Sequence, residues 1–374
     1  MMDTSLPNET DVFVIGGGPA GLAVALAARQ RGMRVVVADG AKTPIDKPCG
    51  EGLLPDSLEA LERLGIRVPA EYGFKFRGIR FVAETQSAEA DFPGGTCGLA
   101  LRRTELHRLI AERAEQSGAE ILWRSCVTGI SNCSVHLEDR RIQARWIIGA
   151  DGANSRVRRW AGLDRGPKPR LRYAFRQHFR VAPWTDYMEV YWGERCQGYA
   201  TAVSNDEVCI AVASPDSNLR MEQALSELPG LDARLRGAPA TSSVRGALTG
   251  NRKFTRVWKH HVALIGDASG TVDAITGEGL GLGFSQAVAL VESFQSGDLR
   301  HYQTEHDRFA LRPWWMARLM LTLDRRRRLQ HRVFRTFQQR PEIFQKFLAL
   351  HVGNLPAKEI IWDGLSLGWG LLTA

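Results

Sequence analysis

The chain has 374 residues, 44% of them hydrophobic and 24% charged, so it can bury a large core and is not disordered. Its six cysteines form no Cys-x-x-Cys pair, and its first residues lack a basic stretch followed by an apolar run. We therefore expect a reduced, cytoplasmic protein without a metal site. The net charge of +8 is modest and collects near Arg325, which argues against nucleic-acid binding, and no apolar run reaches the ~18 residues of a membrane-spanning helix.

The N-terminal region follows the pattern strand, glycine-rich turn, helix, strand. Residues 11–15 are apolar, residues 22–31 recur in Ala and Leu and end at Gly32, and residues 34–38 form a second apolar run. This order predicts a β-α-β unit and hence the start of a parallel sheet.

Helices and strands continue to alternate over the next hundred residues. Helical spacing predicts helices over 56–64 and 104–116, the second capped by Thr104 and ended at Gly118. Apolar runs predict strands over 119–123, 134–138 and 142–148.

The pattern changes in the second half of the chain. Aromatic and β-branched runs between residues 170 and 212 predict an inserted antiparallel sheet that carries the substrate pocket. Residues 262–265 return to a buried strand and 280–294 to a helix, so the first domain is predicted to be discontinuous. From residue 301 onward the spacing is helical.

The turn after the first strand reads Gly16-Gly17-Gly18-Pro19-Ala20-Gly21, which matches the Gly-x-Gly-x-x-Gly pattern of dinucleotide-binding folds. In that pattern, the glycines allow a tight turn, close approach of a pyrophosphate and close helix–strand packing. The helix N-terminus offers free N–H groups to the phosphates. Asp39 ends the second strand, where its carboxylate can accept hydrogen bonds from a ribose diol. The predicted contacts are Gly16, Gly18, Pro19, Ala20, Gly21 and Asp39.

Two later blocks end apolar runs with an acidic residue. They are Gly149-Ala150-Asp151-Gly152 and Gly266-Asp267-Ala268. A carboxylate at a strand end can meet a sugar hydroxyl of a cofactor, although each block alone is equally consistent with an ordinary strand-to-turn junction.

In order and spacing, the three blocks resemble the superfamily that contains para-hydroxybenzoate hydroxylase, geranylgeranyl reductases and flavin-dependent halogenases. The resemblance implies FAD as cofactor and NADPH or NADH as reductant. It also implies an α/β fold, α+β overall: a glutathione-reductase-type Rossmann FAD domain, an inserted antiparallel-sheet substrate domain and a helical C-terminus. The expected bounds are 1–75, 98–165 and 245–300 for the FAD domain, 76–97 and 166–244 for the substrate domain, and 301–374 for the helical region.

The resemblance also implies individual cofactor contacts. It places Asp267 near the ribityl and pyrophosphate groups, and Asp151 in a motif associated with both FAD and nicotinamide nucleotide. It matches Arg103 to a cofactor-binding arginine and puts the backbone of Val127 near adenine. Gly266 of the third block is also a predicted contact. Residues 276–281 resemble the segment that runs beside the flavin ring, which adds Gly277, Gly279 and Leu280.

Residues 47–55 resemble the geranylgeranyl-reductase branch and place Cys49 and Gly50 at the flavin face. We interpret Cys49 as a small side chain packed against the cofactor, with a redox or proton-handling role as the alternative. It is the only candidate catalytic residue.

The branch's Tyr-x-Trp-x-Phe-Pro substrate motif is incomplete, because Tyr199 is present but Thr201 replaces the tryptophan and no Phe-Pro follows. The halogenase motif Trp-x-Trp-x-Ile-Pro is also missing. We therefore favour a single-component monooxygenase acting on a hydrophobic aromatic or polyketide-like molecule, with a reductase of an isoprenoid or lipid as the alternative. A halogenase or a flavin-free binding protein ranks below both.

Residues 313–328 combine aromatic and apolar side chains with four consecutive arginines. This composition is consistent with a peripheral contact to an anionic membrane, but we favour the alternative, a C-terminal helix packed over the substrate domain with a solvated arginine end. The expected partner is a hydrophobic small molecule. The substrate itself, the choice between NADH and NADPH, and the oligomeric state stay open.

Overall fold

The computed structural model describes residues 8–84, 86–166 and 170–353. The strands are β1 Glu9–Ile15, β2 Val35–Asp39, β3 Gly52–Leu53, β4 Phe74–Phe76, β5 Gly78–Ala83, β6 Gln86–Asp91, β7 Gly98–Ala100, β8 Glu120–Trp123, β9 Gly129–Ser131, β10 Ser134–His136, β11 Arg141–Gly149, β12 Arg172–Arg180, β13 Tyr187–Trp192, β14 Gln197–Ala202, β15 Glu207–Ser214, β16 Arg245–Thr249, β17 Arg252–Lys253, β18 Trp258–Lys259, β19 Val262–Leu264 and β20 Gly270–Thr271. The helices are α1 Pro19–Gln30, α2 Pro55–Arg63, α3 Arg103–Gln116, α4 Arg156–Trp160, α5 Met221–Ser226, α6 Pro229–Leu235, α7 Gly279–Ser293, α8 Arg300–Arg325, α9 Arg327–Gln339 and α10 Pro341–His351.

The first sheet has a parallel core in the order β19-β11-β1-β2-β8, to which β18 adds antiparallel. Its central strands are buried along almost their whole length, as expected for a parallel sheet covered on both faces. Because β1, β11 and β19 are parallel neighbours, their carboxyl ends meet at one edge of the sheet. That edge brings the three predicted cofactor blocks together. The predicted α/β fold with a Rossmann-like core is confirmed.

The second sheet has seven strands in the order β16-β12-β15-β14-β13-β5-β6. All pairs are antiparallel except β13 with β5. The strand β16 lies in this sheet, although the expected bounds put residues 245–249 in the FAD domain. Its side chains are mostly exposed, so it lacks the apolar pattern that would have identified it.

The long helices α8, α9 and α10 follow the last sheet strand and confirm the predicted helical region as far as residue 353. Their inner faces share a core with the second sheet, in which Phe334 and Phe344 pack against Phe81. Residues 354–374, also expected to be helical, lie outside the described part. Within the described ranges, every helix is too short or too polar to cross a membrane.

The start of α3 differs from the prediction. The helix begins at Arg103, and no side chain caps it locally, so Thr104 is not the cap. The Glu51 carboxylate instead accepts a hydrogen bond from the Arg103 N–H at 3.0 Å. A distant residue therefore satisfies one of the free N–H groups of the first turn, which local sequence could not reveal.

Candidate functional site

The glycine turn between β1 and α1 has the geometry that a bound pyrophosphate requires. Gly16 has a φ of +115°, and a Cβ there would lie 2.4 Å from the Ala150 carbonyl oxygen. A Cβ on Gly21 would lie 1.9 Å from the Gly16 carbonyl oxygen, so both positions exclude a side chain. A Cβ on Gly18, in contrast, would point into open space within the cavity. This is the backbone position that the pattern reserves for a phosphate.

Asp39 and His107 fix this turn through hydrogen bonds to the Gly17 backbone. Asp39 accepts hydrogen bonds from the N–H groups of Gly17 and Ala41, each at 2.7 Å, which fixes its carboxylate at the cavity wall. His107 is fully buried and its Nε2 lies 2.8 Å from the Gly17 carbonyl oxygen. Burial lowers the pKa of His107, so the ring is neutral and its Nε2–H can donate to that carbonyl. Nothing in the local sequence around His107 indicated this role.

The second block leaves one polar atom without a protein partner. Asp151 Oδ2 accepts hydrogen bonds from the N–H groups of Arg156 and Val157, and so caps α4. Asp151 Oδ1 is buried without a partner, and so is Nε of Arg103, whose side chain also lines the cavity. Buried polar atoms normally have partners, so both atoms fit a site completed by a polar ligand. Val127 lies at the same wall.

A buried arginine, Arg158, joins the second and third blocks. Its guanidinium donates to the carbonyl oxygens of Ala153 at 2.8 Å and Ala268 at 2.9 Å, and to Asp164 at 2.8 Å. Since Ala153 follows Asp151 and Ala268 follows Asp267, Arg158 fixes the two acidic loops relative to each other. No pattern in the sequence around Arg158 indicated this role.

The loop of residues 46–51 closes the cavity from the opposite side. Lys47 Nζ donates to Asp267 Oδ2 at 2.5 Å, which links this loop to the third block. Cys49 is half-buried at the cavity wall, and Gly50 lies beside it. Glu51 is buried with a φ of +61°, a conformation in which non-glycine residues are uncommon.

A buried polar cluster holds Glu51 in place. Its carboxylate lies 2.7 Å from Nε2 of His178 and 3.8 Å from the Arg176 guanidinium, both on β12. Arg176 also pairs with Asp46 of the same loop. Glu51, His178 and Cys209 lie close enough to share a metal ion, but the Arg176 guanidinium already supplies positive charge there, and burial raises the Cys209 pKa well above its usual value. We read the cluster as the connection between the loop and the second sheet.

The segment before α7 presents a left-handed turn and an open helix start to the cavity. Gly277 has a φ of +70°, and a Cβ on Gly277 or Gly279 would meet no other atom. Leu280 lines the cavity beside them. The helix N-terminus therefore offers its partial positive charge to whatever lies there.

Behind this turn lies a second buried charged cluster, which the sequence analysis missed. Glu278 is buried with Arg312 at 3.3 Å and His351 at 3.7 Å, and Arg312 also binds Asp56 at 2.7 Å. Burial raises the pKa of Glu278 to about 8 and lowers that of His351 to about 4. His351 Nε2 lies 3.1 Å from the Thr276 carbonyl oxygen, so the neutral ring donates there. The last described helix is thus bonded directly to the turn.

The glycine turn, the two acidic loops, residues 47–51 and the turn before α7 line one cavity of about 550 Å³. One half is formed by the glycine turn and the acidic loops. The other half is apolar and is formed by side chains of the second sheet and of helices α8 and α10, among them Ile79, Phe81, Met188, Val190, Tyr199, Met316, Met320, Phe344, Phe347 and Leu348. Every predicted cofactor contact lies at this cavity except Gly21, which packs behind the turn, and Cys49 lies between the two halves.

Comparison with known proteins agrees with this geometry. The model of the family described as FAD binding domain matches residues 9–296. The chain is 31% identical over 332 residues to menaquinone reductase of Mycobacterium tuberculosis, with 79% of each chain covered. It is 29% identical over 299 residues to digeranylgeranylglycerophospholipid reductase 1 of Methanothermobacter thermautotrophicus, covering 73% of this chain and 74% of that relative. A solved flavoprotein/dehydrogenase from Cytophaga hutchinsonii shares the fold, with a TM-score of 0.81 at 19% identity over 92% of this chain and 93% of the other.

Proposed function

The chain belongs to the FAD binding domain family and is an FAD-dependent oxidoreductase; on that premise we propose that it saturates a carbon–carbon double bond in an isoprenoid or similar long-chain lipid. The observation that carries this proposal is the apolar half of the cavity. Its walls are aliphatic, aromatic and thioether side chains, and it adjoins the cofactor half directly. Such a space favours an extended apolar chain over a small polar molecule.

The cofactor half fits FAD through backbone and side-chain groups already in position. We assign the pyrophosphate to the open face at Gly18 and the first turn of α1, and the ribose to Asp39. The unpartnered Asp151 Oδ1 and Arg103 Nε would complete their hydrogen bonds on the same ligand. Lys47 and Asp267 would meet the ribityl and pyrophosphate region, and Gly277 and Gly279 the flavin edge.

Bound FAD supplies the hydride, and we propose NADPH or NADH as its source. Saturation of one double bond consumes one hydride and one proton, while the nicotinamide is oxidised. The protein's contribution is to hold the double bond against the cofactor and to exclude water from the apolar half. The two relatives named as reductases support this class of reaction, since one name specifies menaquinone and the other a digeranylgeranyl lipid.

Oxygen transfer to an electron-rich substrate, which the sequence analysis favoured, is the second candidate. One observation supports it: β14 keeps Tyr199 at the cavity but carries Thr201 where the reductase motif has tryptophan. The Tyr199 hydroxyl lies 3.3 Å from Gln197 Oε1 and 3.4 Å from the Ile275 carbonyl oxygen, so both of its hydrogen bonds are long.

Mass spectrometry of turnover distinguishes the two reactions. The flavin-loaded protein is incubated with NADPH or NADH and a menaquinone or a geranylgeranyl lipid, once without oxygen and once under ¹⁸O₂. A reductase gives a product heavier by two hydrogens without oxygen, whereas a monooxygenase gives a product that contains ¹⁸O only in the second incubation. Products without added hydrogen would refute the proposed reduction.

A cavity-filling variant tests the assignment of the apolar half. In Met320→Trp the larger side chain enters the space proposed for the lipid chain, so turnover should fall at least tenfold while the flavin stays bound. Thr322→Trp, on the same helix but outside the cavity lining, is the matched control and should keep its activity. Equal activity of both variants would place the substrate elsewhere.

A further inference from the structure

Helix α8 has two contrasting faces. Met316 and Met320 point into the cavity, whereas Leu311, Trp315 and Leu319 have 56%, 60% and 44% of their surface exposed. These three residues are four apart in sequence, so on a helix they form one stripe. Three large exposed apolar side chains in one row are more than the scattered ones expected on a soluble surface.

Basic residues continue this stripe toward the C-terminal end of α8. Arg318 lies between the apolar side chains, with its guanidinium 4.6 Å from the Trp314 ring centroid and 5.6 Å from that of Trp315. Arg325, the last residue of α8, and Arg326, which directly follows the helix, are both exposed beyond Leu319. An apolar strip bordered by arginines whose stems can lie along it is typical of helices that rest in the headgroup region of a bilayer.

The net positive charge of the chain is concentrated in helices α8, α9 and α10. Residues 300–352 contain twelve Lys or Arg and four Asp or Glu, and this excess of eight equals the excess of the entire chain. The remaining sequence is therefore electrically balanced. A positive region of this kind complements an anionic lipid surface.

We propose that the exposed face of α8 formed by Leu311, Trp315, Arg318 and Leu319, together with Arg325 and Arg326 at the end of the helix, docks the protein on an anionic phospholipid bilayer. The aromatic and aliphatic side chains enter the interface, and the arginines bind lipid phosphates. Because the opposite face of the same helix lines the apolar cavity, this orientation brings the cavity wall close to the bilayer. A lipid substrate would then travel a short path without crossing bulk water.

Vesicle flotation of the flavin-loaded full chain tests the proposal. The vesicles contain either phosphatidylcholine alone or phosphatidylcholine mixed with phosphatidylglycerol. Binding is expected on the mixed vesicles only, and added salt should weaken it because exposed charges are screened. Absence of binding to the mixed vesicles at low salt overturns the proposal.

Two variants separate the apolar and the charged parts of the surface. Trp315→Ser should weaken binding about tenfold, and joint replacement of Arg318, Arg325 and Arg326 by Ser should weaken it about a hundredfold, since each basic residue near an anionic bilayer is worth roughly a factor of five. Arg327 is left in place because it pairs with Glu84. The matched controls are Tyr72→Ser, another exposed aromatic, and joint replacement of Arg63, Arg236 and Arg256 by Ser, three exposed arginines elsewhere.

The controls should bind like the original chain. Equal weakening in the arginine control would show that only net charge matters and would overturn the proposed surface. Sedimentation velocity without vesicles tests whether a second copy of the chain covers this face instead. If the original chain is a dimer, Trp315→Ser is a monomer and neither protein binds vesicles, the face is an interface between copies of the chain. If the protein binds vesicles but does not reduce the lipid in the mass-spectrometry assay, the proposed membrane surface stands and only the proposed function is refuted.

Discussion

Glu278 gives the folded protein a pH dependence that a single substitution should remove. The carboxyl is buried behind the turn at the start of α7, and Asp56, Arg312 and His351 face it. Its pKa of about 8 lies far above the ordinary 4.5 because burial disfavours the charged form more than Arg312 favours it. Glu278→Gln keeps the shape of the neutral carboxyl and eliminates its ionisation.

The sign follows from proton binding in the two states. Between pH 4.5 and 8 the folded chain holds a proton on Glu278 that the unfolded chain has lost, so stability falls as pH rises through this window. His351 acts in the opposite direction, because its pKa of about 4 makes stability rise with pH up to its ordinary 6.5. Above pH 6.5 the glutamate dominates. Its contribution to the loss of unfolding free energy between pH 6.5 and 8 is about 2 kcal/mol.

Urea unfolding of the flavin-loaded protein at pH 6.5 and 8 measures this difference. The original chain should lose about 2 kcal/mol more than Glu278→Gln over that interval. Glu292→Gln, an exposed glutamate later in the same helix, is the matched control and should behave like the original chain. If the unfolding free energies of the original chain and Glu278→Gln differ by the same amount at pH 6.5 and at pH 8, Glu278 does not titrate between these pH values, contrary to the expectation.

Two further predictions concern the cofactor loops. Arg158→Ala should lower the unfolding free energy by about 2–6 kcal/mol, because it removes the donor to the Ala153 and Ala268 carbonyl oxygens, and it should also weaken FAD binding. Arg159→Ala, at the exposed neighbouring position, should change neither quantity in calorimetry and flavin titration. Gly18→Ala should preserve the melting temperature but lower the FAD affinity at least tenfold, because the new Cβ occupies the position assigned to the phosphate. Gly21→Ala, whose Cβ would clash with the Gly16 carbonyl oxygen, should lower both the melting temperature and the FAD affinity. A lower melting temperature in Gly18→Ala would contradict the assignment.

The parts of the candidate site that depend on local sequence patterns could be predicted from the sequence. The glycine turn, Asp39 and the acidic ends of β11 and β19 follow from strand periodicity and from the chemistry of phosphate and ribose binding. Their meeting at one sheet edge follows from parallel strand order. The pairing of the exposed strand β16 with β12 could not be predicted, because the residues of β16 carry no pattern that specifies this partner.

The residues that hold the site together could not be predicted in the same way. Glu51 bonds residues on α3 and β12, and Arg158 bonds loops that are far apart in sequence. Such contacts form between single side chains that only the tertiary fold brings together, so no local sequence pattern indicates them. The Glu278 cluster is similar, since Asp56, Arg312 and His351 approach it from three different helices.

The order of the parallel strands also determines when the protein can acquire its flavin during synthesis. The glycine turn leaves the ribosome early, but Asp267 follows about 250 residues later, at the end of β19. At typical elongation rates this delay is roughly 10–50 s. During that time the central strand β11 has no β19 beside it, and its edge must be protected from other chains. Cofactor loading is therefore a late event, and truncated chains that end before β19 should accumulate without flavin.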